Sequence, residues 1–217
     1  MKHKIHGQMS DSFLTAAFLS VSGGLQDAYT YIFRGKVFAN AQTGNILLLG
    51  INISERNWQM ALHYLVPVLA FAIGIALADL VKIRTKNLTL LHWRQISVFC
   101  EAVILLSVSF IPQDFNLVAN ALTSLACGIQ VESFRKIHGN GIATTMCIGN
   151  LRSATQHMCS YANTKDKEYI KKGLLYYGII FFFVIGAVIG NACVEMFAEK
   201  ALLIASAILA VAFVMMF

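Results

Sequence analysis

The sequence predicts an all-α integral membrane protein of about six transmembrane helices plus two short polar helices that enter and leave on one side, arranged as two inverted repeats. Three observations predict it. First, 57% of the 217 residues are hydrophobic and 13% charged, with a mean hydropathy of +0.65, which is far too apolar for a soluble domain of this length. Second, landmarks recur in order: Gly24-Leu25-Gln26 is answered by Gly128-Ile129-Gln130, Gly44-Asn45 by Gly149-Asn150, and Phe71-Ala72-Ile73-Gly74 by Phe183-Val184-Ile185-Gly186. Ordered self-similarity of this kind marks a duplicated unit. Third, the basic residues divide between the two sides of the membrane in only one of the topologies compared.

The elements follow in order. Residues 11–33 are apolar but interrupted by Ser22, Gly23, Gly24, Gln26 and Asp27. At about 1.5 Å per residue they are long enough for a bilayer core of roughly 30 Å. A short polar-centred stretch at 37–54, a long one at 58–83 with Pro67, and another at 93–112 complete the first unit. The second unit repeats the order at 115–135, 140–161, 170–197 and 200–217. We read one membrane domain over 1–217, with repeat one at about 11–112 and repeat two at about 115–217. The Gly-Leu-Gln landmark recurs deep in the chain, so the apolar run near the N-terminus is expected to be retained and not cleaved as a signal peptide.

If all eight elements cross and the N-terminus is inside, Lys and Arg outside the elements divide seven inside and nine outside. If 37–54 and 140–161 are re-entrant, the inside holds Lys2, Lys4, Lys82, Arg84, Lys86, Arg94, Arg135, Lys136, Lys165, Lys167, Lys171 and Lys172, against Arg34, Lys36, Arg56 and Lys200 outside. That 12 to 4 split obeys the positive-inside rule. Six spans with two re-entrant elements, and a cytoplasmic N-terminus, are therefore expected, with the second unit inverted.

Non-helical backbone at membrane depth persists only where protein or a water-filled cavity satisfies it. Gln42-Thr43-Gly44-Asn45 reads as such a break, with Thr43 and Asn45 capping a half-helix that begins at Ile46; Cys147-Ile148-Gly149-Asn150 would match it. Two facing half-helix N-termini suit an anionic or neutral polar solute. The candidate binding residues are Gln26, Asp27, Asn40, Thr43, Gly44 and Asn45 in the first unit. Those in the second are Gln130, Glu132, Thr145, Gly149, Asn150 and Arg152, the last a partner for one of the two acids. Ionisable groups inside a membrane face a cavity or a partner by default, which singles out Asp27 ahead of Glu132. His63, His157 and Glu101 read as isolated. Gly74 with Ala78 and Gly186 with Gly190 place small residues four apart, as close helix packing requires.

No metal site, phosphate loop or nucleophile elbow is present, so neither cofactor nor metal is expected. The His3 and His6 pair is a weak metal pattern. The five scattered cysteines read as small buried hydrophobes, and nucleic acid is excluded as a partner. The expected partners are the lipid bilayer, a small solute and, as one arrangement, a second copy of the chain.

Ser22-Gly23-Gly24, Asp27-Ala28-Tyr29, Val37-Phe38-Ala39-Asn40, Gln42-Thr43-Gly44-Asn45 and Leu48-Leu49-Gly50 together resemble the signature of the YoaK-like family of small bacterial membrane proteins, a domain of unknown function. The resemblance covers essentially the whole chain and implies a bacterial cytoplasmic (inner) membrane, but no substrate. Gln42 departs from the residue common in that family, so its side chain takes no family role. The leading functional reading is a small-solute channel or transporter. An intramembrane enzyme using Asp27 or His157, and a non-catalytic membrane partner or sensing subunit, stay open beside it.

Overall fold

In a computed structural model of the chain, the structure describes residues 12–85, 92–137 and 140–217. Lys2, Lys4, Lys86 and the His3 and His6 pair lie outside them. Eight α-helices are found among the described residues: α1 Phe13–Phe33, α2 Gln42–Ser54, α3 Trp58–Arg84, α4 Trp93–Val108, α5 Asn116–Ser133, α6 Cys147–Thr164, α7 Lys167–Phe197 and α8 Leu202–Met215. One two-residue antiparallel pairing, Lys136–Ile137 with Asn140–Gly141, follows α5. Local signals start the helices where polar side chains can take an orphan N–H. Ser12 Oγ accepts from Thr15 N at 3.1 Å, Asn57 Oδ1 from Met60 N at 3.3 Å, and Asp166 Oδ1 from Glu168 N at 2.9 Å. His92 and Gln95 form a capping box at α4.

The bundle is polar inside and apolar outside. Gln26, Arg34, Asn45, Glu101, Asn120 and Gln130 are fully buried, whereas Leu47, Ile83, Ile148, Phe181 and Val188 project outward. That is the arrangement of a chain whose solvent is hydrocarbon. Two helical segments, Trp58–Arg84 and Lys167–Met215, are long and apolar enough by themselves to cross a membrane. The second runs through both α7 and α8, so the two hold three of the six segments expected. Of the other three, α4 has only 16 residues, and α1 and α5 are made less apolar by Gln26, Asp27, Asn120 and Gln130.

Helix directions follow from end-to-end contacts. His63 Nε2, in the second turn of α3, lies 2.9 Å from Gly35 O, just past the end of α1. The chain from 36 to 57 therefore leaves and returns to one end of the bundle. The 13-residue α2 is about 20 Å long and packs on α3. Arg34 donates to Ile111 O at 2.6 Å, Pro112 O at 3.1 Å and Asn116 Oδ1 at 3.0 Å, so α4 ends and α5 begins at that same end. Tyr29 Oη donates to Glu199 O at 3.2 Å, which brings the end of α7 there too. Helix α5 thus runs opposite to α1, and α7 runs with α1.

The packing partners map onto themselves when the halves are exchanged. Pairing of α1 with α7 answers α5 with α3, α2 with α3 answers α6 with α7, and α1 with α8 answers α5 with α4. Close approach is made by the same landmark glycines. A Cβ on Gly24 would overlap Phe183 O, and one on Gly186 would overlap Val21 O. One on Gly74 would overlap Leu125 O, and one on Gly128 would overlap Phe71 O. Among the described residues, Lys82, Arg84, Arg94, Arg135, Lys136, Lys165, Lys167, Lys171 and Lys172 gather at one end, and Arg34, Lys36, Arg56 and Lys200 at the other.

Candidate solute cavity between the two breaks

The breaks lie before the Gly-Asn pairs and not within them. Residues 37–41 and 142–146 are non-helical, and α2 and α6 begin at Gln42 and Cys147. Thr43 and Asn45 therefore do not cap a helix starting at Ile46; they occupy the first turn of α2, whose N-cap residue is Ala41. Asn45 serves the break instead. Its Oδ1 accepts from Phe38 N at 3.0 Å and its Nδ2 donates to Phe38 O at 2.7 Å. Asn150 does the same for the second break, donating to Ala143 O at 2.6 Å across an equal separation of seven residues. Each asparagine supplies, from the first turn of the following helix, partners for backbone that has left the helix.

The first break is held against the middle of α1. Asn40 N donates to Asp27 Oδ1 at 2.7 Å, and Asn40 Nδ2 donates to Gly23 O at 3.1 Å. The backbone N–H groups of Ala39 and Ala41 also face the Asp27 carboxylate. Asp27 therefore sits where the N-terminus of α2 presents its positive dipole end. The second break differs. The residue that follows Gln130, as Asp27 follows Gln26, is Val131, and the N-cap residue of α6, Met146, gives no side-chain cap. Gln130 instead donates to Leu19 O at 3.2 Å and Thr144 Oγ1 at 2.9 Å, fixing the second break to α1 and α5.

A cavity of about 620 Å³ opens between the two breaks, walled by Asp27, Ala28, Tyr31, Phe38, Asn40, Gln42, Thr43, Thr145, Cys147, Gly149 and Phe183 among others. Most of the wall is apolar, with a few polar groups converging, as in small-molecule sites. Two of those polar groups stand out. Asn40 Oδ1 and Thr145 Oγ1, on residues that line the cavity, are buried and have no hydrogen-bond partner within the protein, a costly condition that a small side-chain rotation toward a polar ligand would relieve.

Of the sequence candidates, Asp27, Asn40, Thr43, Thr145 and Gly149 line this cavity. Gln26, Asn45, Gln130 and Asn150 are buried fasteners behind it, and Gly44 lies against the Phe38 ring. Glu132 and Arg152 are elsewhere. Arg152 is exposed on α6, while Glu132 meets Arg135 at 3.2 Å and Lys82 at 4.0 Å, so Arg152 is not the partner of either acid. His157 stacks on Tyr176 and does not line the cavity.

Two residues carry more than the sequence assigned them. Glu101 is not isolated: fully buried, it accepts from Gln26 Nε2 at 3.2 Å through Oε1 and leaves Oε2 without a partner. The other end of Gln26, Oε1, accepts from Cys127 Sγ at 2.9 Å. Arg34 is not a solvated loop cation but is wholly buried in a cage of carbonyls at the end of α1. Only the hydrophobicity around Glu101 and the placement of Arg34 at a helix end could have signalled either.

A family model described as "Protein of unknown function (DUF1275)" matches residues 15–215. The chain belongs to the DUF1275 family. It is also similar to the "UPF0700 transmembrane protein YoaK" of Bacillus subtilis (strain 168), 25% identical over 183 residues that cover 80% of each chain. No solved structure matches it. The resemblance read from the Gly-Asn and Asp-Ala-Tyr motifs is thereby borne out. This DUF1275 chain is a membrane protein, and its similarity to a bacterial transmembrane protein implies a bacterial membrane.

Proposed function

We propose that this DUF1275 protein is a small-solute transporter or channel of the bacterial cytoplasmic membrane, with its solute bound in the cavity between the two breaks. It crosses the membrane six times, dips in twice at 37–54 and 140–161, and consists of two inverted repeats with the basic end cytoplasmic. Helix directions, the self-mapping of the helix pairs and the charge distribution support that topology. The observation that carries the functional reading is a cavity that both breaks wall, with the Asp27 carboxylate and the unpartnered Asn40 and Thr145 side chains among its lining residues.

The chemistry of the wall narrows the solute. Asp27 Oδ1 accepts from Asn40 N beside the start of α2, and the start of α6 faces the same cavity through Cys147. The wall thus combines one carboxylate with the positive dipole ends of two helices. A neutral polar or dipolar solute fits that mixture better than a bare anion.

Cys147 lines the cavity and serves as a reporter. In protein with its other four cysteines replaced by serine, a maleimide should modify Cys147 more slowly in the presence of the right member of a panel of small polar solutes. That solute should also enter proteoliposomes containing wild-type protein. Asn45→Ala and Asn150→Ala should insert normally and fail to transport it. Wild-type uptake by both variants would sink the assignment.

A further inference from the structure

A second cavity, of about 510 Å³, lies at the basic end of the bundle and is unrelated to the first. Lys82 at the end of α3, Trp93 and Arg94 at the start of α4, and Glu132, Ser133, Arg135 and Lys136 at and after the end of α5 wall it. Four cationic side chains therefore face one carboxylate in its wall. Part of the charge is spent internally, since Glu132 pairs with Arg135 at 3.2 Å and Lys82 at 4.0 Å, and Lys82 also pairs with Asp79 at 3.7 Å, yet Lys136 meets no carboxylate among the described residues.

The wall is built and not a chance gathering of surface lysines. Arg94 Nε donates to Ser133 O at 3.1 Å, and the Arg94 guanidinium lies over both Trp93 and Phe134. The Lys82 ammonium sits 5.6 Å from the centre of the Trp93 ring. Ser133 is 1% exposed, and its hydroxyl has no hydrogen-bond partner within the protein although the residue walls the cavity. A buried hydroxyl, several cations and an open volume are together what a phosphate oxygen needs.

We propose that this cavity binds the phosphate headgroup of an anionic phospholipid. Phosphate chemistry alone would also admit free inorganic phosphate. The setting favours the lipid. Trp93 marks the level at which aromatic rings meet headgroups, and Leu80 and Ile83, beside Lys82 on α3, are exposed and apolar where acyl chains would lie. Basic pockets between membrane helices at the cytoplasmic face take headgroups of this class. The inference does not depend on the transporter reading.

The test uses the full chain purified in a neutral detergent, with melting temperature followed as phosphatidylglycerol, phosphatidylcholine or inorganic phosphate is added. Phosphatidylglycerol should raise the melting temperature saturably and phosphatidylcholine should not. The double variant Lys82→Gln/Lys136→Gln should weaken the phosphatidylglycerol response by roughly tenfold or more in concentration, and Ser133→Ala should weaken it further. Lys171→Gln, an exposed lysine at the same end, should leave it unchanged. Native mass spectrometry of wild type and double variant, counting retained lipid, gives the same comparison if a variant is unstable on heating. Equal responses to both lipids, equal loss with Lys171→Gln, or full protection by inorganic phosphate alone would overturn the lipid assignment.

Discussion

Asn45 and Asn150 perform the same task 105 positions apart: each reaches back seven residues to satisfy backbone that has left the helix. Removing either side chain takes the short donor from a half-buried carbonyl, and for Asn45 the acceptor from a half-buried N–H as well. Asn45→Ala should therefore cost about 1–3 kcal/mol and Asn150→Ala somewhat less, read as midpoints of thermal unfolding in detergent. Asn45→Asp should be worse than its size predicts, because a carboxylate would face Phe38 O where Nδ2 now donates. Arg34 makes a parallel case at the C-terminal end of α1. Arg34→Met should lower stability by at least about 2 kcal/mol, since several carbonyls lose their donor at once, whereas Arg56→Met, at an exposed turn, should change little. The sequence pointed to the asparagines but mistook what they do. An asparagine beside a glycine reads locally as a cap, and only the folded chain shows that the groups it satisfies lie behind it. Glu101 was missed for a related reason, because its partner Gln26 is 75 residues away and no local pattern joins them.

At the level of the helices, the glycines separate into two kinds. Gly24, Gly74, Gly128 and Gly186 sit where a Cβ would overlap a backbone carbonyl of the facing helix, so the helix pairs can come no closer and no larger residue fits. Gly149 has nothing within 4 Å of its absent Cβ and lines the cavity. Gly24→Ala and Gly186→Ala should each destabilise the α1–α7 pair by roughly 1–3 kcal/mol. Gly149→Ala should leave the melting temperature within a degree or two, while Gly149→Leu should shield Cys147 from maleimide without unfolding the protein. The helix boundaries were legible in the sequence to within a few residues, because apolar runs bounded by polar caps set them. The starts of α2 and α6 were not, since non-helical segments that contain apolar Phe38-Ala39 and Ile142-Ala143 share the composition of the helices around them.

For the whole molecule, the path of the chain through the membrane decides what the cavity between the breaks can do. Landmark order and the distribution of lysine and arginine were enough to propose two opposed halves from sequence, because both survive without knowledge of contacts. The meeting of the two breaks around one cavity, and the second basic cavity, were not legible. They depend on pairings such as α1 with α7 and α3 with α5 that join distant parts of the chain. Topology decides between a solute site reached from re-entrant segments and a bundle in which every helix crosses. The most direct measurement places single cysteines at Arg56 and Arg84, both exposed, in a background free of the five native cysteines, and labels intact cells with a membrane-impermeant thiol reagent. Position 56 should label from outside, and position 84 only after the cells are opened. Labelling of position 84 in intact cells, with position 56 protected, would contradict the re-entrant topology and remove the basis for a site between the two breaks.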